Sequence, residues 1–139
     1  MPIEISDLIT FSHPNKEHND EAVRRLAVHG SYYAVYNYFL DYAINNWGFN
    51  PKEKVIDYNN STREIYGSHE KLGQFIRNYG IKNGAPDIVV LGEHLRNYHN
   101  LRCTADYKLH GKVTLSDARN HVNHCVRDLN KFHANVPQE

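Results

Sequence analysis

The sequence predicts an all-α protein, an up-down bundle of four to five helices forming a single domain over residues 1–139. Three observations predict it. Apolar residues recur at three- and four-residue spacing through several long windows, the period of an amphipathic helix. Helix punctuation falls between those windows, at Pro14, Gly48, Gly80, Asn83-Gly84 and Pro86. One window, from Tyr32 to Trp47, is apolar on nearly every face, which marks a central, buried helix.

The elements follow in order. A short helix is expected over Ile3 to Phe11, ending before Pro14. A long helix is expected from Lys16 to Trp47, with Gly48 as its stop. One stripe breaks its apolar surface: Gly30, Ala34, Asn37, Asp41 and Asn45, small residues and then polar ones. Phe49 to Tyr66 reads as the least regular stretch, with at most a helical turn after Pro51. Ser68 reads as the N-cap of a helix carrying Leu72, Phe75, Ile76 and Tyr79, stopped at Gly80. Asn83-Gly84 is a turn, and Pro86 opens a helix that ends near Arg102. Ala105 to Gly111 is expected as an extended loop. Thr114 with Asp117 three residues later forms a capping box. The last helix then carries Leu115, Ala118, Val122, Cys125, Leu129 and Phe132 on one stripe.

Composition excludes several classes. Lys+Arg and Asp+Glu both number 16, so the chain lacks the strongly basic balance of a dedicated nucleic-acid binder. Cys103 and Cys125 have no motif spacing, so reduced thiols and a reducing, cytoplasmic setting are expected. No stretch reaches membrane-spanning length, so no membrane partner is expected. GxGxxG, P-loop, GxSxG and CxxC motifs are absent, which argues against the common nucleotide-binding enzymes and zinc modules. No cofactor and no metal is expected. The ten tyrosines supply apolar area with a polar tip, which suits half-wet helix interfaces and a homodimer.

The most informative residue is Arg102. The stripe Ile88, Leu91, Leu95, Tyr98 continues by heptad spacing to Arg102, so an arginine falls on an inward helix face. Such a residue needs a partner. Two readings stand. In one, Arg102 is a structural ion pair with Asp41 or Asp106. In the other, it holds a phosphate bidentately. His99 lies one helical turn earlier, and Asp106, Tyr107 and His110 follow. Arginine and histidine together can cleave RNA without metal: one stabilises phosphate charge and the other moves the proton of the attacking 2′-hydroxyl. The stripe Asn37, Asp41, Asn45 either faces Arg102 and supports it or is a close-packed seam made possible by Gly30 and Ala34. On the last helix, Asp117, His121, His124 and Asp128 have metal-ligand spacing. They flank the core stripe, and a solvated polar face is the expected reading. Arg119 and His124 diverge by about 140° around the helix, which weakens them as a working pair.

Three blocks carry a family resemblance. They are His29-Gly30-Ser31-Tyr32-Tyr33-Ala34-Val35-Tyr36, then Ser68-His69-Glu70-Lys71-Leu72-Gly73, then Arg102-Cys103-Thr104-Ala105-Asp106-Tyr107. In order and spacing they resemble the HEPN superfamily, the third block resembling its "R…ADY" subgroup. The resemblance implies a dimeric, HEPN-like helical bundle with its motif arginines near the interface. It implies RNA or nucleotide-phosphate binding around Arg102 and a setting in a toxin–antitoxin or phage-defence system. Asn37, Asp41, Asp106 and Tyr107 would then support Arg102. Many HEPN members are metal-independent endoribonucleases with an arginine, four to six residues, then a histidine. Here Tyr107 stands after four intervening residues, and His110 comes after seven, so the ribonuclease motif is degenerate. The alternatives are therefore an endoribonuclease using Arg102 with His99 or His110, and a non-catalytic partner of a cognate nucleotidyltransferase or antitoxin.

Overall fold

A computed structural model describes residues 5–58, 63–107 and 113–132, with the side chains at 5–7, 104, 106 and 107 left aside. Among the described residues five helices and two strands occur in the order α1 (Ile5–Asn15), α2 (Glu21–Asn46), β1 (Val55–Asp57), β2 (Arg63–Ile65), α3 (Ser68–Lys82), α4 (Pro86–Tyr107) and α5 (Leu115–Lys131). The fold is predominantly helical, as expected. It divides into two compact units, one of residues 1–38 with 100–139, the other of residues 39–99.

The first unit holds α1, the N-terminal part of α2, the last turns of α4, and α5. α1 does not end before Pro14: it runs to Asn15. The ring costs one amide bond in a final turn, where the Asn15 side chain donates to the Phe11 carbonyl at 2.7 Å. α2 starts at Glu21 rather than Lys16, because the Asp20 carboxylate accepts from the Ala22 N–H at 2.9 Å, as an N-cap does. α1 and α2 close against each other at Gly30, where a Cβ would meet Ser12 Oγ at 2.6 Å. The expected small-residue seam is thus filled at Gly30 by the chain's own α1. α5 begins with the expected capping box, Thr114 Oγ1 accepting from the Asp117 N–H at 3.0 Å. Its stripe Ala118, Val122, Cys125 and Leu129 is buried, but Leu115 is 46% exposed, because it lies in the opening turn.

The first turns of α2 also tie down the chain on either side of residues 108–112. Arg25 donates to the Ala105 carbonyl at 3.0 Å, Glu21 accepts from the Val113 N–H at 2.8 Å, and Arg24 donates to the Val113 carbonyl at 3.0 Å. α4 itself runs on to Tyr107, so the expected extended loop from Ala105 starts as helix. The remainder of that predicted loop lies outside the described residues.

The second unit holds the end of α2, the hairpin, α3 and most of α4. Gly48, at φ 72°, stops α2 as expected. The stretch expected to be irregular contains the antiparallel pair β1–β2, with Val55 opposite Ile65. Both of these face inward, and α3 packs on both strands. Polar groups from the helices hold the hairpin: Asn78 donates to the Ile56 carbonyl at 2.8 Å, and the Arg96 guanidinium lies 3.7 Å from the Asp57 carboxylate. Arg96 also donates to Gln74 at 2.8 Å and Glu70 at 3.0 Å.

Ser68 is the first helical residue of α3, and the N-cap position is Gly67. Gly80 does not stop α3, which continues to Lys82. It is there because α4 lies against it: a Cβ on Gly80 would sit 2.6 Å from the Val89 nitrogen. The same holds at Gly92, where a Cβ would sit 2.5 Å from the Arg77 nitrogen and 2.6 Å from the Gly73 carbonyl. The turn at Gly84 has φ 62°, as its sequence predicts.

Burial along α2 is less uniform than its composition suggests. Tyr32, Ala34, Val35, Phe39 and Ala43 are buried, while Tyr33, Tyr36, Tyr38, Leu40 and Tyr42 are half-buried. Ile44 is 42% exposed, which corrects the expectation of burial on nearly every face.

Candidate functional site

Arg102 is 4% exposed, on the inward face of α4, as its place on the stripe predicts. Its surroundings in the first unit are aromatic. Nη2 donates to the Tyr33 hydroxyl. The guanidinium carbon lies 5.0 Å from the centre of the Tyr33 ring and 5.6 Å from that of Tyr32. Nη1 also reaches Cys103 Sγ at 3.8 Å. A ring face attracts a cation through its quadrupole, and a phenol oxygen accepts from it, so Tyr32 and Tyr33 give the charge a seat of defined orientation.

The consecutive tyrosines serve because Tyr32 and Tyr33 differ in burial. Tyr32 is 1% exposed and meets Tyr33 edge-on at 5.5 Å. Burial, reinforced by neighbouring Tyr36 and opposed by Arg102, holds the Tyr32 phenol far above its ordinary pKa. It is neutral throughout the physiological range and is no general base. Tyr33 is half-buried and packs against His29, ring centres 4.7 Å apart. The imidazole in this aromatic cluster is therefore His29, one turn before Tyr33 on α2. His29 belongs to the first block of the family resemblance, which gives it no role. Its spacing of four from Tyr33 was the available signal.

The other candidates are distributed as follows. His99 is half-buried in the second unit, where its ring stacks on His69 at 4.9 Å with an angle of 6°. Asn37 and Asp41 are exposed on α2. Asp106 and Tyr107 occupy the last turn of α4, with side chains outside the described residues, and His110 also lies outside them.

The α5 group does not form a solvated polar face. His124 and Asp117 are exposed, Asp117 serving the capping box, but His121 and Asp128 are buried. Burial lowers the His121 pKa to about 4, against a bond to the Val28 carbonyl that raises it. Cys125 Sγ lies 3.6 Å from His121 Nε2 and is fully buried. Burial, with Asp128 nearby, pushes the Cys125 thiol well up. A neutral imidazole beside an un-ionised, inaccessible thiol is core packing rather than a nucleophile pair. Among the described residues no group of three or more His, Cys, Asp or Glu side chains is placed to hold a metal ion. No helix among them is long and apolar enough to cross a membrane. No known family, curated protein or solved structure matches the chain.

Proposed function

We propose that the protein is a HEPN-like, homodimeric helical module that binds RNA or a nucleotide phosphate around Arg102, in a toxin–antitoxin or phage-defence setting. The observation that carries the reading is the seating of Arg102 on Tyr33 and Tyr32. This brings together two separate sequence blocks on which the HEPN resemblance rests, the one around Tyr32-Tyr33 and the one that begins at Arg102. An aromatic seat fixes the direction of a guanidinium, which is what bidentate phosphate recognition needs. Binding without cleavage is preferred over the ribonuclease alternative with His99 or His110, because Tyr107 stands where the motif histidine would be and the ring of His99 stacks on His69.

A second reading is favoured by the 4% exposure of Arg102. In it, Arg102 is an internal clamp joining α4 to α2 in a non-catalytic partner of a nucleotidyltransferase or an antitoxin. One variant separates the two. Arg102→Ala is examined for RNA binding by fluorescence anisotropy and for thermal unfolding in the same preparation. The binding reading expects affinity to fall by about 1.5–3 kcal/mol with the fold retained. The clamp reading expects the loss in stability and no RNA affinity in either protein. Sedimentation at micromolar concentration tests the homodimer.

A further inference from the structure

A cavity of about 680 Å³ opens in the second unit, among the end of α2, β1 and the C-terminal half of α3. That volume suits a small organic ligand. Its lining has two chemical components. Trp47, Tyr58, Phe75 and Tyr79 supply aromatic surface. Lys54, Arg77 and Lys82 supply positive charge, and no carboxylate lines it among the described residues.

Both components are anchored by the fold and still line the cavity. Trp47 and Tyr79 form a near-parallel pair, ring centres 5.4 Å apart at 26°, and Trp47 also meets Tyr42 edge-on at 4.9 Å, which fixes an aromatic wall in place at the cavity. Tyr58 is 70% exposed at the end of β1, and among the described residues no ring packs against it. Lys54 meets Glu64 at 3.8 Å and Arg77 meets Glu93 at 3.3 Å, both carboxylates lying outside the lining. Arg77 is half-buried, whereas Lys54 is exposed, and an exposed pair such as Lys54 with Glu64 holds weakly and exchanges for a stronger anion. Lys82 is exposed and has no carboxylate within ion-pair distance among the described residues. Aromatic faces beside an excess of cations recognise a planar ring that carries an anion.

We propose that this cavity binds a nucleoside monophosphate unit, free or within a single strand, its base on the aromatic wall with Tyr58 and its phosphate among Lys54, Arg77 and Lys82. The site is separate from Arg102 and stands whether or not Arg102 binds phosphate.

Trp47 is the chain's single tryptophan, so its fluorescence reports on this cavity. The test titrates full-length protein with the four common ribonucleoside 5′-monophosphates, adenosine, ribose 5-phosphate, inorganic phosphate, indole-3-acetate and an oligo(U) strand. Saturable change with monophosphates is expected, weaker by about tenfold when either base or phosphate is missing. Tyr58→Ala is expected to weaken binding about tenfold, and Lys54→Ala about threefold. Tighter binding of the strand than of uridine monophosphate supports a strand as the source, and equal binding supports the free nucleotide. The proposal is overturned if no monophosphate saturates the signal below roughly 10 mM. Indole-3-acetate binding as tightly as the monophosphates, or unchanged affinity in Tyr58→Ala, would also overturn it.

Discussion

Arg102 donates a hydrogen bond to the Tyr33 hydroxyl while its guanidinium lies 5.0 Å from the centre of the same ring. One tyrosine thus engages the cation by both its polar tip and its ring. The pairing links α2 to the last turns of α4, where Arg25 also holds the Ala105 carbonyl. Each half of the pairing predicts a different mutational result.

Tyr33→Phe retains the ring and removes the acceptor. A hydrogen bond to a charged group that is 4% exposed is lost, and stability should fall by about 1.5–3 kcal/mol. Tyr33→Leu removes the ring as well, and should cost about 1 kcal/mol more through the lost cation–π contact. Urea unfolding of the two variants beside the parent measures both steps.

His121 gives the fold an acid sensitivity. Its pKa is about 4 in the folded chain, lowered by burial, against about 6.5 in the unfolded chain. The unfolded state therefore binds the proton more readily between these values. The stability contributed by the neutral imidazole is complete above about pH 6.5 and is lost as pH falls toward about 4. A difference of this size corresponds to about 3 kcal/mol. His121→Gln should flatten the profile across that window in urea unfolding measured from pH 7.5 to 4.5.

The two thiols should differ in reactivity. Cys125 is fully buried with its pKa raised, whereas Cys103 is half-buried beside Arg102. Iodoacetamide should label Cys103 first in native protein, with Cys125 slower by a factor on the order of 100. In denaturant both should react alike. Mass spectrometry of a time course checks this.

Gly92→Ala should be among the most damaging single-methyl additions. The new Cβ would sit 2.5 Å from the Arg77 nitrogen and 2.6 Å from the Gly73 carbonyl, both backbone atoms. α3 and α4 would have to separate, at a cost of about 2–3 kcal/mol. Thermal unfolding measures it, with Gly67→Ala, where a Cβ meets nothing within 4 Å, as the control.

Features set by local chemistry were legible in the sequence. The left-handed stop at Gly48, the left-handed turn at Gly84 and the capping box of Thr114 and Asp117 need only residues adjacent in the chain. The inward position of Arg102 followed from the apolar period before it. The hairpin was not legible, because strands of three residues are too short to show alternation and are held by Asn78 and Arg96 from helices later in the chain. Gly80 was misread because close helix approach and a helix stop favour the same residue. The role of Tyr33 depends on how α2 is turned about its axis relative to the last turns of α4. Composition does not encode that, and the four-residue spacing from His29 marks Tyr33 without telling that its hydroxyl meets Arg102. The burial of His121 was hidden for the same reason, since its position on α5 flanks the apolar stripe.

The most direct test of phosphate binding at Arg102 is its own side-chain Nε–H signal in a ¹H–¹⁵N spectrum, assigned by its disappearance in Arg102→Lys. If Arg102 holds phosphate, that signal shifts saturably when a short RNA or a nucleoside monophosphate is added to the parent protein. A signal that stays fixed while the Trp47 indole resonance moves, or while neither moves, would contradict it.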